Sequence, residues 1–217
     1  DEIPSWATEA RDKSTGKETG TTIYIPYYKL GLNEEPETVI SIISNFYYAI
    51  SENKLEVQVG NEATLNKENI KSQYYDYEKK LESEQDYIDV TTVKENFENI
   101  IAYIEPDESG TQEIPGNDHF EWHLKYKDIN SGKRVALARH TGMLVTNRPY
   151  QLLRFNGNIP FKMFLCAKGK LSNIIKSAEN PAHDKIEFDH IENEEERKQK
   201  ENIYKKFTNK VKYILDK

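Results

Sequence analysis

Histidine and acidic residues alternate near residue 120, with a spacing that could support metal chemistry. His119, Glu121 and His123 share one face if this segment is a β-strand, because successive side chains of a strand point to opposite faces. Two or three such side chains can begin a metal site. Phe120 and Trp122 occupy the alternate face and give the strand an apolar side to bury. We therefore interpret His119, Glu121 and His123 as the solvated face of a strand.

A second group of reactive side chains lies in and after the string Glu179-Asn180-Pro181-Ala182-His183-Asp184. The alternative site candidates here are Glu179, His183, Asp184 and His190. His183 and Asp184 could act as an acid–base pair, or join His190 as metal ligands. Pro181 also ends the preceding helix, and the Asn and Asp side chains can satisfy free backbone groups at the corner. We favour this structural interpretation and therefore predict no metal ligand here.

Composition limits the classes of protein that the chain can belong to. Its 217 residues suffice for one large domain or two small ones. Hydrophobic residues make up only 36 %, and fourteen Tyr and eight Phe supply much of the area that can be buried. The net charge of −7 does not support nucleic acid as a partner, since phosphate binding needs a basic footprint. No apolar run approaches the about 18 residues of a membrane span.

The single cysteine, Cys166, excludes a disulfide framework and suits a reducing cytosol, so we expect a cytoplasmic protein. It stands in the apolar run 161–167. We predict that it is a small buried hydrophobe.

Helical periodicity is clearest in segments 39–50, 91–104 and 194–215, where apolar residues recur every three or four positions. Shorter helices are predicted for 67–75, after a capping Asn66, and for 171–177. The long C-terminal helix places its apolar residues on one stripe and begins with acids followed by bases, as the helix dipole favours.

Strands are predicted where residues are β-branched, aromatic or alternating. The predicted strands are 21–28, 55–59, 63–65, 119–126, 134–139, 143–146 and 160–167. The turn Gly60-Asn61 joins one pair as a hairpin, and Asn130-Ser131-Gly132 joins 119–126 to 134–139 as another. The segments 76–90 and 107–118 are interpreted as charged or irregular loops.

Helices and strands mix without a regular β-α-β alternation, which indicates an α+β fold. We expect a mixed or antiparallel sheet with helices packed on it and a long C-terminal helix. The predicted domains are 1–30, an α+β subdomain at 31–110, and a hairpin-rich α+β subdomain with the C-terminal helix at 111–217.

The string Gly20-Thr21-Thr22-Ile23-Tyr24-Ile25 resembles the exit from a GHKL ATPase domain, that of the gyrase, heat-shock chaperone, histidine kinase and MutL superfamily. In that superfamily a Gly-Thr pair precedes a late strand, and in its non-kinase members a second α+β domain, the transducer, follows. Further strings are similar to uncharacterised bacterial proteins that carry such an ATPase domain. They are Asn45–Ile50, Lys54–Val57, Arg139–Met143 and Glu179–Asp184.

The resemblance implies that residues 1–30 are the tail end of an upstream ATPase domain and that the chain is a fragment of a longer protein. The superfamily's magnesium-binding Asn, its Asp-x-Gly-x-Gly adenine loop and its Gly-rich lid are absent from this sequence. We therefore expect the fragment to bind no nucleotide by itself, and expect ATP and magnesium to serve the intact protein. The implied partner is the chain's own ATPase domain. The resemblance leaves a homodimer open.

In gyrase-like and MutL-like relatives a transducer lysine reaches the γ-phosphate of ATP. The candidates for such a contact here are Lys168, Lys170 and Arg139. Lys168-Gly169-Lys170 follows an apolar strand and precedes a helix, where the backbone can approach a phosphate. Arg139 closes another strand. The plainer alternative for these positions is a solvated cation in a turn.

These observations lead to three functional hypotheses. The first is a transducer-like coupling module, silent by itself, in a protein that hydrolyses ATP. The second is a metal-dependent hydrolase that uses the His, Asp and Glu positions at 119–123 and 183–190. The third is a non-catalytic interaction domain.

Overall fold

An α+β fold with a mixed five-stranded sheet emerges from the computed structural model, as the sequence predicted. The structure describes residues 34–60, 63–83, 91–116, 118–130, 132–181 and 185–216. The helices are α1 (Glu34–Ser51), α2 (Ile70–Ser83), α3 (Thr91–Asn99), α4 (Ile101–Ile104), α5 (Gly169–Ala178) and α6 (Glu194–Leu215). The strands are β1 (Val57–Val59), β2 (Ala63–Leu65), β3 (Glu108–Ile114), β4 (Asp118–Lys125), β5 (Lys133–Ala138), β6 (Leu144–Thr146) and β7 (Phe161–Ala167).

The five-stranded sheet has the order β3-β4-β7-β5-β6, and β1 and β2 form a separate antiparallel hairpin. Strand β7 pairs antiparallel with β4 and parallel with β5. Its near-continuous apolar sequence, Phe161 to Ala167, fits this central position, because a strand covered on both faces has no solvated side.

Two expectations about this sheet are wrong. Segment 107–118 is not a loop, because residues 108–114 form the edge strand β3, paired antiparallel with β4. Its sequence is polar up to Ile114 and has no apolar alternation that would mark a strand. This agrees with its position, since most of its side chains are exposed or half-buried. The predicted hairpin around residues 130–132 also does not form. Strand β7 lies between β4 and β5 and separates the two predicted partners.

The helices follow the sequence more closely. Helices α1, α5 and α6 occur where apolar periodicity predicted them, and the Asn193 side chain caps α6 by accepting from the Glu196 amide. Helix α2 extends to Ser83, so residues 76–83 are helical rather than irregular. The segment 91–104 is helical but interrupted at Ile100.

Helices pack on both faces of the sheet. On one face, Met163 and Leu165 of β7 join side chains of α5 and α6 in the largest apolar core. On the other face, Phe164 and Cys166 pack with Tyr48 of α1, and Cys166 is a buried free thiol as predicted. A third core joins α1, α2, α3 and the β1–β2 hairpin.

Helix α1 approaches this second face closely. A Cβ added at Gly142, in the turn between β5 and β6, would lie 2.5 Å from the Ala49 Cα atom, and Gly142 has a φ of +98°. Only glycine tolerates both the positive φ and the short distance to Ala49. The glycine therefore allows this turn of the sheet to pack directly against α1.

The strand predicted at 21–28 lies outside the described residues, as do residues 1–30. The division into subdomains at residue 110 stays a prediction. Among the described residues, no helix combines the length and the apolar character needed to cross a bilayer.

Candidate functional site

Lys168, one of the predicted cation candidates, lies in a closed network of three polar groups. Its Nζ donates a hydrogen bond to the Tyr48 hydroxyl at 2.7 Å and lies 3.0 Å from Oε2 of Glu121. The Tyr48 hydroxyl in turn donates to the same Glu121 oxygen at 2.9 Å. We call Lys168, Tyr48 and Glu121 the Lys168 triad. It joins α1, β4 and the residue that follows β7.

Sheet register and helix packing bring the triad together. Phe120 lies opposite Ala167 in the β4–β7 ladder, and the Lys168 amide donates to the His119 carbonyl, so Lys168 continues the ladder past the end of β7. Glu121 points to the face that α1 covers, since successive side chains alternate. Tyr48 reaches it from α1 and is held by its ring, which stacks on Phe164 at 5.7 Å.

The triad carries one positive and one negative charge. Burial works to raise the pKa of Glu121, but hydrogen bonds from Lys168 and Tyr48 outweigh it and hold that pKa below its usual value. The pKa of Lys168 lies above its usual value. Burial works to lower this pKa, but Cys166 and Glu121 raise it by more. Because burial also raises the pKa of the Cys166 thiol, the partner that is ionised at neutral pH is Glu121. Burial, followed by Cys166 and Glu121, raises the pKa of Tyr48, which stays a neutral donor.

A second ammonium flanks the Tyr48 ring. Lys54 places Nζ 5.1 Å from the ring centroid, a distance at which a cation is attracted to an aromatic face. Lys54 also donates to the His140 carbonyl at 2.9 Å. The His140 ring nitrogen Nδ1 lies 2.8 Å from the hydroxyl of Ser172 in α5. The surroundings of the triad are therefore tied to the turn between β5 and β6 and to α5, as well as to α1.

The other two cation candidates lie in different environments. Arg139 forms an ion pair with Glu179 at 3.3 Å, and the two side chains are only 13 % and 0 % exposed. Lys170, on the first turn of α5, is exposed. The alternative that these positions carry solvated turn cations is therefore wrong for Lys168 and Arg139 and fits only Lys170.

The amino end of α5, where the backbone was expected to approach a phosphate, already faces a carboxylate. Asp118 is 2 % exposed, and its Oδ1 accepts from the Leu171 amide at 3.1 Å. A Cβ added at Gly169 would lie 3.3 Å from the same oxygen. Asp118 thus takes the position at this helix end that favours an anion.

The residues proposed for a metal are not brought together where they are described. His183 and Asp184 lie outside the described residues, Glu179 is paired with Arg139, and His190 contacts the Ser177 carbonyl. Within the described ranges, no group of three His, Cys, Asp or Glu side chains could hold a metal ion.

The interpretation of His119, Glu121 and His123 as a solvated strand face is wrong for Glu121 and His123. Glu121 belongs to the triad, and the His123 ring packs edge-on against Tyr103 at 4.9 Å. Burial, the largest influence, lowers the pKa of His123 despite the nearby carboxylates of Glu121 and Glu52. The polar face of β4 is covered by α1 and α4, which the sequence did not indicate.

Sequence reasoning missed Tyr48 and Asp118. Tyr48 stands in the aromatic run 46–48, where its hydroxyl is a polar tip on an apolar helix face, a feature that calls for a partner. No pattern in the sequence identifies that partner, because Lys168 is 120 residues away. Asp118 directly precedes a predicted strand and gave no sign of capping a helix some fifty residues later.

Comparison of the chain with protein-family models, with curated proteins and with solved structures finds no match.

Proposed function

We propose that the chain is a transducer-like coupling module of a GHKL-type ATPase, and that it is not catalytic alone. The single observation that carries this proposal is the position of Lys168. Its ammonium is a compact cation on a side chain that is 18 % exposed, and it connects α1 to the sheet through Tyr48 and Glu121. A lysine in this position can respond to a nearby phosphate and transmit the response to a helix.

The physical basis of the coupling is an exchange of partners. Lys168 binds Glu121 and Tyr48 in the described structure, and both bonds must weaken if the ammonium moves toward an anionic oxygen outside the fold. Tyr48 then loses a charged partner, and the contact between α1 and β4 changes. Lys168 thus has two arrangements, one bound to Glu121 and Tyr48 and one bound to an external anion. A ligand shifts the equilibrium between them only if it binds one arrangement more tightly, and the negative charge of a terminal phosphate favours the second.

The described residues fit one part of a nucleotide site and no more. They offer the ammonium of Lys168 at the end of β7, positioned by its bonded partners. Asp118 occupies the amino end of the neighbouring helix α5 and would repel a phosphate there. ATP and magnesium would accordingly be bound by an upstream domain, and Lys168 would contribute only a contact to the terminal phosphate. Arg139 is less suited to that contact because its partner Glu179 is 0 % exposed, whereas Glu121, the partner of Lys168, is 36 % exposed and can be solvated when the ammonium leaves it.

The test is ATP hydrolysis by the intact protein that contains this chain. We expect Lys168→Ala to lower kcat by about tenfold or more, as the loss of a charged contact to a reacting phosphate does. Lys170→Ala is the matched control, because Lys170 lies two residues away and is exposed, and it should leave kcat unchanged. Circular dichroism of both variants checks that they fold.

The rival hypotheses give other results. An interaction domain predicts no ATP hydrolysis by the intact protein. A metal-dependent hydrolase predicts an activity of this chain alone that requires a divalent metal and is lost in His183→Ala. An intact protein without ATPase activity would therefore overturn the proposal, as would equal kcat values for the two lysine variants.

A further inference from the structure

His123 of β4 lies beside the Lys168 triad with one ring nitrogen unused. Its Nδ1 is buried and has no hydrogen-bond partner among the described residues. A buried polar atom without a partner costs free energy, so native proteins keep few of them. The ring is held edge-on against Tyr103 at 4.9 Å and against Phe164 at 6.5 Å. The unused nitrogen is therefore a fixed feature of this face of the sheet.

The acidic member of the triad is the neighbour of His123 on the same face of β4. Residues two apart in a strand point to the same face with about 6–7 Å between them, so Glu121 and His123 lie side by side. A second carboxylate, that of Glu52 on α1, accepts from the Tyr103 hydroxyl at 3.0 Å. Since the Tyr103 ring packs against His123, two carboxylates lie near a ring that in the described structure bonds to neither.

The charges around His123 come from every element packed on this face. The titratable side chains are Glu121 and Lys125 of β4, Tyr48 and Glu52 of α1, Tyr103 of α4, Lys162 and Cys166 of β7, and Lys168. Strand β3 places the uncharged Ser109 opposite His123. Burial lowers the pKa of His123, the carboxylates of Glu121 and Glu52 raise it, and Lys168 lowers it. The ring is accordingly neutral at pH 7.

Lys168 keeps His123 neutral in two ways. Its ammonium repels a proton on the ring, and it occupies the Glu121 oxygen that a protonated ring would use. When the ammonium leaves, Glu121 keeps its negative charge beside the neutral hydroxyl of Tyr48. An opposite charge within about 4–6 Å favours the protonated form of a base. Departure of Lys168 thus frees the acceptor that the unused nitrogen lacks.

We propose that His123 replaces Lys168 as the cationic partner of Glu121 when Lys168 moves out of the triad. The ring takes up one proton from solvent and donates from Nδ1 to the carboxylate, so no other reactant is needed. Opening of the triad therefore takes up a proton and is favoured as the pH falls. The phosphate that draws Lys168 away rests on the proposed function, whereas the exchange of partners is a property of this chain alone.

The test is a pH titration of the chain, followed through the histidine Cε1–H signals in NMR, with His123→Gln to assign the signal of His123. Lys168→Met should raise the midpoint of His123 by about 0.5–1.5 pH units, as the loss of one nearby positive charge does. Lys170→Met is the matched control and should leave the midpoint unchanged. No nucleotide takes part, so failure here does not affect the ATPase test, and an intact protein without ATPase activity does not affect this result.

Two further variants distinguish the replacement from simple charge repulsion. Glu121→Gln alone should lower the midpoint of His123, because it removes the carboxylate that favours the protonated ring. In Lys168→Met combined with Glu121→Gln, the rise should fall to less than half, since the protonated ring has lost its acceptor. Circular dichroism checks that each variant folds, and Lys168→Gln replaces Lys168→Met if methionine disturbs the fold. Equal midpoints in the Lys168 and Lys170 variants, or an equal rise with and without the Glu121 carboxylate, would overturn the proposal.

Discussion

The Lys168 triad predicts that a tyrosine on α1 and a lysine after β7 stabilise the fold together. The perturbation is a double-mutant cycle in which Tyr48→Phe and Lys168→Met are made singly and together. Phenylalanine keeps the ring that stacks on Phe164, and methionine keeps most of the lysine stem, so the substitutions remove little besides the polar groups.

The magnitude follows from the contacts. The Tyr48 hydroxyl accepts from Lys168 at 2.7 Å and donates to Glu121 at 2.9 Å, and Tyr48 is only 3 % exposed. A hydrogen bond to a charged group contributes about 1.5–3 kcal/mol to stability. The Glu121 side chain is 36 % exposed, so solvent screens that contact, and we expect Tyr48→Phe to cost about 2 kcal/mol in all. The coupling energy between the two substitutions should be about 1–2 kcal/mol.

Urea denaturation followed by circular dichroism measures all four free energies of unfolding. A second cycle that combines Tyr48→Phe with Lys170→Met is the control, and it should show no coupling because Lys170 is exposed and outside the triad. A coupling energy of the Lys168 cycle below about 0.3 kcal/mol, the usual error of additivity, would show that Tyr48 and Lys168 do not stabilise the fold together.

Three further predictions concern stability. Gly142→Ala should destabilise the chain by about 1–3 kcal/mol through its clash with α1, and more than Gly157→Ala, which has a similar φ but open space around it; urea midpoints compare the two. Arg139→Met should cost about 3 kcal/mol in the same assay, because it removes the guanidinium that lies 3.3 Å from the buried Glu179 carboxylate; a loss under about 1 kcal/mol would contradict this. Burial works to raise the pKa of Glu95, yet Arg148 and Arg134 lower it below the ordinary value. The contribution of Glu95 to the free energy of unfolding is therefore present above the unfolded pKa of about 4.3, and it is lost as the pH falls through the lower folded pKa. The stability difference between the wild type and Glu95→Gln should therefore shrink below about pH 4, and a constant difference would exclude that role.

The helices could be predicted because their signals are local. In α6, apolar residues recur with helical spacing and acidic residues precede basic ones, so this helix could be predicted from the sequence alone. In α1, Pro36 and the apolar residues that follow it give an equally local signal.

The sheet could not be predicted to the same extent because its pairings are non-local. Strand β3 is polar since it lies at an edge, and polarity there resembles that of a loop. The pairing of β5 with β7 is parallel and depends on the central position of β7, which no turn residue specifies. A turn sequence at residues 130–132 therefore suggested a hairpin that the sheet does not contain.

For the candidate site, the sequence identified the cation and missed its partners. Lys168 stood out because it lies between an apolar strand and a helix. Glu121 looked like part of a solvated face, since its pattern does not reveal that α1 covers that face of β4. The triad forms because three elements that are distant in sequence pack together. The residue pattern within any one of these elements does not predict that packing.

The most direct test of the account is hydrogen exchange of α1 in the intact protein, measured with and without a non-hydrolysable ATP analogue. We expect the analogue to change the exchange of amides around Tyr48, Lys168→Ala to abolish this change and Lys170→Ala to preserve it. Exchange in α1 that is the same with and without the analogue, or a change that persists in Lys168→Ala, would contradict the proposed coupling.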